Sequence, residues 1–462
     1  MAHLAPGTNG AGTDASIRRI LAPSTWPVAA VLLAGLAIRV VFFNVDGSAY
    51  DVGAFQEWTR QMLAHPLETF YAADLEVPQD HLPGDLWVLY ALGRVWQWLG
   101  GGTFAGTGAA MYALKLVAIV FDLVLALIAA AIVRPWDGAR SARMVMLAIV
   151  FNPGLIFISS IWTQWNVLAT TLVAGAAYAL VRWRAAGLLA GLPLLAAATL
   201  IKPQLLVLVL PVAVLVLRMW RGGVPFGTLV RNTVIGGAAS VTLVLAAMLP
   251  FDVGFPGMGT RWTVLERVQF AADRYTTTTK GAYNFWTLFF PGAGTDDRAT
   301  VIAGVTYQHL GFILFGMLCV LALLIGWRWR DERVGMLVAM AIIASATFMV
   351  ITRGHERYLI DGMVLTIIAS GIVPSLRPAA WVLASGLFLN VWFVWGFHHP
   401  GWVAHIEYFD GLYRALASIN LIGFGLLLWG AWFRGMPVRT VVRPSPPTRN
   451  ALHERTPGDG HD

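Results

Sequence analysis

Charge is scarce in this chain. Asp, Glu, Lys and Arg make up 12% of its 462 residues, about half the roughly 25% usual for soluble domains, which excludes an ordinary soluble globule. Cysteine is nearly absent: Cys319 stands alone inside an apolar run, so neither a disulfide framework nor a Cys-based metal site can be built. Lysine is rare too, with Lys115, Lys202 and Lys280 the only lysines among 32 basic residues. No Gly-rich phosphate loop, dinucleotide fingerprint or Ser-His-Asp order stands out, which disfavours a user of ATP or nucleotide-sugars. The formal charge of +7 could suggest nucleic acid as a partner. The basic residues sit instead in short groups between apolar segments, as orientation signals do.

What the chain has in abundance is apolar length. Hydrophobic residues make up 57% of it, and runs such as Pro27–Phe43, Tyr112–Val133, Gly304–Gly326 and Val334–Ile351 approach or exceed the roughly 17 to 25 residues that cross a bilayer. An all-α, polytopic membrane protein follows. The arginine groups test one topology: Arg18/Arg19, Arg134/Arg140/Arg143, Arg182/Arg184, Arg218/Arg221/Arg231, Arg328/Arg330/Arg333, Arg377 and Arg434/Arg439/Arg443/Arg449. All can be cytoplasmic at once if spans lie near 26–43, 111–133, 144–160, 166–182, 186–200, 204–217, 232–250, 301–326, 334–351, 359–376, 379–396 and 415–433, twelve in all, with both termini inside. Residues 1–25 then form a cytoplasmic tail, 26–433 the membrane domain and 434–462 a cytoplasmic, Pro- and Arg-rich tail too poor in apolar residues to fold. Leu86–Leu99 is too short to span, and its Trp87, Tyr90, Trp96 and Trp98 suit an interfacial helix in the first external loop. The loop Phe251–Thr300 is broken by Gly, Pro, Asp and Thr clusters and is placed to act as a lid.

With this topology the polar motifs reach one face. They are Asp46, Asp51, Glu57, Asp80-His81-Leu82-Pro83-Gly84-Asp85, Asn152-Pro153, Trp162-Thr163-Gln164-Trp165-Asn166, Lys202-Pro203-Gln204, Lys280 with Tyr283-Asn284, and His355-Glu356-Arg357-Tyr358. Ionisable groups at membrane depth are costly and usually functional, so their one-sidedness points to a single external site. Each also has a plain reading. Lys202 could snorkel from a tight turn, and the His-Glu-Arg-Tyr run could be an interfacial ion pair. Trp162 and Trp165 suit an aromatic belt. Lys115 and Asp122, seven apart on one helix and hence about 10.5 Å along its axis, could serve either a buried structural link or the site. His398, His399, His405 and Glu407 match no recognised metal spacing. No cofactor is implied, and a divalent metal, though open, is not indicated by any compact ligand set.

The order of these motifs resembles that of bacterial mannosyltransferases related to the GPI mannosyltransferase of the second mannose step, within the C superfamily of membrane glycosyltransferases. It is carried by Asp51-Val-Gly-Ala-Phe-Gln-Glu-Trp58, Tyr71, Asp80-His-Leu-Pro-Gly84, Lys115 with Asp122, Asn152-Pro153, Trp162-x-Gln164, Lys202-Pro-Gln204, Tyr283-Asn284-x-Trp286 and His355-Glu-Arg-Tyr358, from about 30 to 430. It departs at His81-Leu82, where such proteins commonly read Tyr-Pro, and at Asn166, where they often carry Asp. The resemblance implies inverting transfer of a sugar, mannose by this likeness, from a polyprenyl-phosphate donor to a hydroxyl of a glycan, lipid or protein acceptor, on the external face of a bacterial plasma membrane. Asp51 is the expected base. Lys202, Gln204, His355, Glu356, Arg357, Tyr358 and Lys280 would hold the donor phosphate and sugar. Asp46, Asp80, His81, Lys115, Asp122, Trp162, Gln164 and Asn284 would hold the acceptor or support the site. The rival reading is a transporter or lipid-linked sugar flippase without covalent chemistry.

Overall fold

The computed structural model describes residues 26–292, 294–399 and 409–434; the two tails, His405 and Glu407 lie outside them. Fourteen α-helices of ten residues or more, among the described residues, build the chain: α1 Trp26–Val41, α2 Ala49–Ala64, α3 Pro83–Trp98, α4 Ala109–Val150, α5 Asn166–Trp183, α6 Leu188–Ile201, α7 Val209–Arg221, α8 Phe226–Met248, α9 Val264–Asp273, α10 Tyr307–Arg328, α11 Glu332–Val350, α12 Ile360–Ile372, α13 Arg377–His398 and α14 Asp410–Arg434. Among the described residues eight helical stretches are long and apolar enough to cross a membrane, and Pro27–Val41 and Ile360–Ile372 are shorter apolar helices. The protein is an integral, multi-pass, all-α membrane protein.

Backbone breaks explain why the twelve apolar segments read from the sequence appear as fewer continuous helical stretches. The stretch Ala109–Trp162 is interrupted at Asp137 and Gly138, where the glycine takes φ 69°, two residues after Pro135 has removed a helical donor. The stretch Asn166–Ile201 turns at Arg184 (φ 50°) and a 3₁₀ segment Arg184–Gly187. Both breaks fall in arginine groups that delimit spans in the sequence.

The core is the α11–α12 hairpin. Nearly every residue of α11 and twelve of the thirteen in α12 are buried, with α10, α13, α4 and α5 packed around them. The two helices meet at Gly362, whose absent Cβ would sit 2.6 Å from the backbone N and Cα of Ser345.

Residues 44–108 carry two helices. Ser48 caps α2 by accepting the Asp51 N–H at 3.3 Å. α3 buries the stripe Leu86, Leu89 and Gly93 and exposes Ala91, Val95 and Trp98 on the opposite face, the asymmetry expected of an amphipathic helix, and the side chain of Trp87 donates to Ala247 O at 2.9 Å. The 251–300 loop is more ordered than its composition suggests. It contains α9, started by a reciprocal Thr263/Glu266 capping box that satisfies two helix-terminal donors, and the two-stranded ribbon Val253–Gly254/Trp262–Thr263, and a second ribbon, Thr300–Ile302/Val305–Thr306, joins it to α10.

Candidate active site

Proline places the polar residues at helix ends. The residue before proline is driven out of the helical region, so α6 stops at Ile201 and Lys202 is extended (φ −133°, ψ 96°). Asn152 is extended likewise and caps the next segment by accepting from Leu155 N–H at 3.1 Å. That segment ends in a wide π turn, Phe157–Trp162, closed by left-handed Thr163 (φ 69°), and such turns gather at functional sites. It aims Trp162 inward. The indole N–H donates to Asp51 Oδ2 at 2.7 Å, and the ring packs on Trp395 with centroids 5.3 Å apart. Asp51 lies in the first turn of α2, where the helix dipole favours a negative charge.

Arg357 faces Asp51 from the other side. Its Nη2 is 3.9 Å from Asp51 Oδ1, it pairs with Glu356, and its guanidinium lies 5.9 Å from the Trp162 ring centre. Burial works against its charge, but Glu356 and Asp51 more than restore it and hold Arg357 above its ordinary value. Its Nε is buried and has no partner among the described residues. His355, next to it, touches Tyr275 (4.9 Å) and Tyr358 (5.2 Å) edge-on or tilted. Burial, then the charges of Arg357, Lys280 and Arg274, push His355 well below its ordinary value. A neutral imidazole at pH 7 follows, which can meet a phosphate as an N–H donor. Burial pushes the Tyr358 hydroxyl up to about 12, so it stays a donor.

His81, unlike His355, favours its charged form. Its Nδ1 contacts Asp85 Oδ2, and its ring meets Trp58 at 4.9 Å and Phe55 at 6.1 Å. Burial disfavours the charged ring, yet Asp85 and Asp80 outweigh it and raise His81 to about 9. Asp80 also receives Arg274 Nη1 at 2.8 Å, and Arg274 reaches the Tyr50 hydroxyl next to Asp51. Lys280 is held over the Tyr275 ring at 5.2 Å, and its N–H donates to Gly354 O at 2.8 Å.

Asp51, Asp80, His81, Trp162, Lys280 and His355–Tyr358 therefore form one neighbourhood, although they come from five separate parts of the chain. Lys202 stands at its edge. Its Nζ is 5.6 Å from the Tyr358 ring centre but is bound to Asp361 Oδ2 at 2.9 Å, with Thr170 Oγ1 donating to the other oxygen at 2.6 Å. Gln204 lies half-buried in the 3₁₀ turn beyond it. Gln164 is buried in the wall, its side-chain oxygen accepting the Trp165 N–H at 3.3 Å.

Other residues singled out in the sequence belong elsewhere. Lys115 and Asp122 do not join the site. Lys115 donates to the Phe42 and Phe43 carbonyls at 2.9 and 3.2 Å, neutralising the frayed end of α1, and Asp46, exposed, lies in its field. Asp122 is paired with buried Arg39 at 2.9 Å. Asn284 is fully buried and structural, capping Phe285–Leu288 and donating to Phe348 O at 2.9 Å. Trp162 and Trp165 are not belt aromatics. Both are buried, and Trp165 donates to Leu114 O at 2.9 Å. Among the described residues no three His, Cys, Asp or Glu side chains converge as a metal set. Arg39, Tyr50, Arg274, Tyr275 and Asp361 went unflagged in the sequence. A lone arginine in an apolar helix is the signal that would have found Arg39, and the Arg357-x₃-Asp361 spacing that for Asp361.

An apolar groove of about 250 Å³ runs beside this neighbourhood, lined among others by Gly84, Trp87, Phe121, Leu172, Ile201 and Ala247. Gly84 packs closely in its wall, because a Cβ there would come within 2.6 to 2.7 Å of the Leu200 backbone and Ile201. Only glycine lets the start of α3 rest on the end of α6.

No family model matches the chain, and no curated protein sequence matches it. Among solved structures it is similar to ArnT from Cupriavidus metallidurans bound to undecaprenyl phosphate, at 15% identity and TM-score 0.46, over 88% of this chain and 77% of that one. The apo state of the same protein gives 15% and 0.41 over the same shares. It is also similar to the archaeal oligosaccharyltransferase AglB from Archaeoglobus fulgidus, in complex with an inhibitory peptide and a dolichol-phosphate, at 13% identity and TM-score 0.47, over 90% of this chain and 57% of AglB.

Proposed function

We propose that the protein is an inverting glycosyltransferase that moves a sugar from a polyprenyl-phosphate donor to a hydroxyl acceptor on the external face of a bacterial plasma membrane, with 26–433 as the catalytic unit. The observation that carries this reading is the meeting of Asp51 with Arg357, 3.9 Å apart, where a carboxylate able to take a proton adjoins a guanidinium whose buried Nε–H lacks a partner. A buried donor without a partner costs about 1–3 kcal/mol, and a phosphate oxygen would remove that cost. The motif resemblance supports mannose as the sugar.

In the proposed step the acceptor oxygen attacks the anomeric carbon from the face opposite the phosphate. The new C–O bond forms as the bond to the phosphate oxygen breaks. The acceptor proton passes to Asp51, and the bonding electrons leave on the polyprenyl phosphate. Arg357 stabilises the charge growing on that oxygen, with the His81 cation and Lys280 nearby and neutral His355 and Tyr358 as hydrogen-bond donors. The groove suits a hydrocarbon tail, because it is apolar throughout and its lining includes Gly84 and Ile201, close in the chain to His81 and Lys202. Lys202 is better placed to hold the floor of the site through Asp361 than to touch phosphate.

Membranes supplied with radiolabelled polyprenyl-phosphate sugars test this. Wild-type chain should transfer label, and Asp51→Asn should lower turnover by about 10²- to 10⁴-fold, the span of a general base, while still binding donor. A carrier would translocate lipid or sugar with no covalent product, and undiminished transfer by Asp51→Asn would remove Asp51 as the base.

A further inference from the structure

A second cavity, of about 510 Å³, lies outside the neighbourhood just described, between Pro78 and one face of α9. Glu266, Gln269, Phe270 and Asp273 line it, at spacings of three, four and seven residues that put them on a single helical stripe. Each polar member keeps capacity in reserve. Glu266 spends Oε2 on its Thr263 cap, and Asp273 spends Oδ1 on Arg298 and Arg353, so Oε1 and Oδ2 are left open. The Gln269 amide has no partner among the described residues, and Phe270 is 45% exposed. The sixth lining residue is Arg274, which on its other side holds Asp80 at 2.8 Å and the Tyr50 hydroxyl. Tyr50 precedes Asp51. Arg274 and Tyr50 thus link the cleft to the residue before the proposed base.

We propose that this cleft binds the acceptor and that the acceptor is a neutral saccharide. The inference rests on the transferase reading above and narrows its acceptor from a glycan, lipid or protein to a glycan. Open carboxylate oxygens and an amide suit a ligand that presents many hydroxyl donors, and an exposed phenyl ring suits the C–H face of a pyranose. An extended peptide held by main-chain pairing needs an unpaired strand edge, whereas the walls here are a helix and a proline.

Saturation-transfer NMR on the full-length chain in detergent, with methyl α-D-mannopyranoside, α-D-glucopyranoside and β-D-galactopyranoside as probes, reads binding without requiring turnover. At least one pyranoside should show saturable transfer, and Phe270→Ala and Gln269→Ala should each weaken it about fivefold or more, close to 1 kcal/mol. Leu265→Ala, exposed on the same helix but outside the cleft, should leave it unchanged, and matching melting temperatures show that all three fold. No saturation by any pyranoside overturns the inference, as does equal saturation in Phe270→Ala, or saturation by a Ser/Thr peptide in place of the sugars. Saccharide binding that depends on Phe270 without any sugar transfer would leave this site standing and take away the transferase reading.

Discussion

Replacing Lys202 by methionine separates two roles that one lysine could play. Lys202 is 5% exposed and bound to Asp361, itself 4% exposed, at 2.9 Å. Removing one member of such a pair leaves the other charge buried and uncompensated, at about 3–5 kcal/mol. With an unfolding entropy of about 2.1 cal/mol/K per residue, a chain of this length carries roughly 1 kcal/mol/K if it melts as one unit. The melting temperature of Lys202→Met should therefore fall by about 3–5 °C. Lys202→Met/Asp361→Leu should recover most of that loss, because no charge is then stranded and an apolar pair can replace a buried ion pair at little cost. The assay is thermal unfolding in detergent, followed by intrinsic tryptophan fluorescence, alongside donor binding. An unchanged melting temperature in Lys202→Met together with lost donor binding would refute this reasoning and return Lys202 to the phosphate.

Three further outcomes follow. The folded chain keeps a proton on His81 up to about 9, whereas the unfolded chain sheds it near 6.5. This stabilisation is therefore complete below about pH 6.5 and lost as pH rises through about 9, so the stability gap between wild type and His81→Gln should shrink over that window in a pH-melting series. Gly362→Leu drives a side chain into the Ser345 backbone of α11; overpacking costs about 1–3 kcal/mol or more, and folded yield by size-exclusion chromatography should drop sharply. Cysteine tags after residue 70 and within 262–298 should react with impermeant reagents from outside, and protection of either would overturn the external placement of the site.

The helices were legible because hydropathy and arginine spacing are local signals. Asp137-Gly138 and Arg184 break the chain where charged groups already mark the segment ends. The neighbourhood of Asp51, His81 and His355–Tyr358 was legible as a set, because ionisable residues among apolar ones stand out. Their partners were not. Lys202 finds Asp361 across 159 residues and Arg39 finds Asp122 across 83, and nothing local announces a pair that only packing creates. The charge state of His355 was also out of reach, since it depends on burial beside Arg357 and Lys280 rather than on residue type. Arg274 and Tyr275 sit where a helix gives way to loop, with no periodicity to single them out.

Arg353 is left-handed (φ 64°), an arrangement costly for a side chain other than glycine, and it is locked there. Its N–H donates to Thr277 O at 3.0 Å and its guanidinium grips fully buried Asp297 at 2.7 Å, while Lys280 and Gly281 bridge to His355. The polar loop and the His-Glu-Arg-Tyr turn consequently move as one mechanical part, and swinging the loop aside would tear main-chain bonds beside Arg357. The flank bounded by Gly84 and Trp87 is crossed instead by a side-chain bond, Trp87 N–H to Ala247 O, which a rotamer change releases without breaking main-chain pairing. On the proposed reaction the spent lipid leaves sideways into the bilayer by that flank, and the polar loop stays in place.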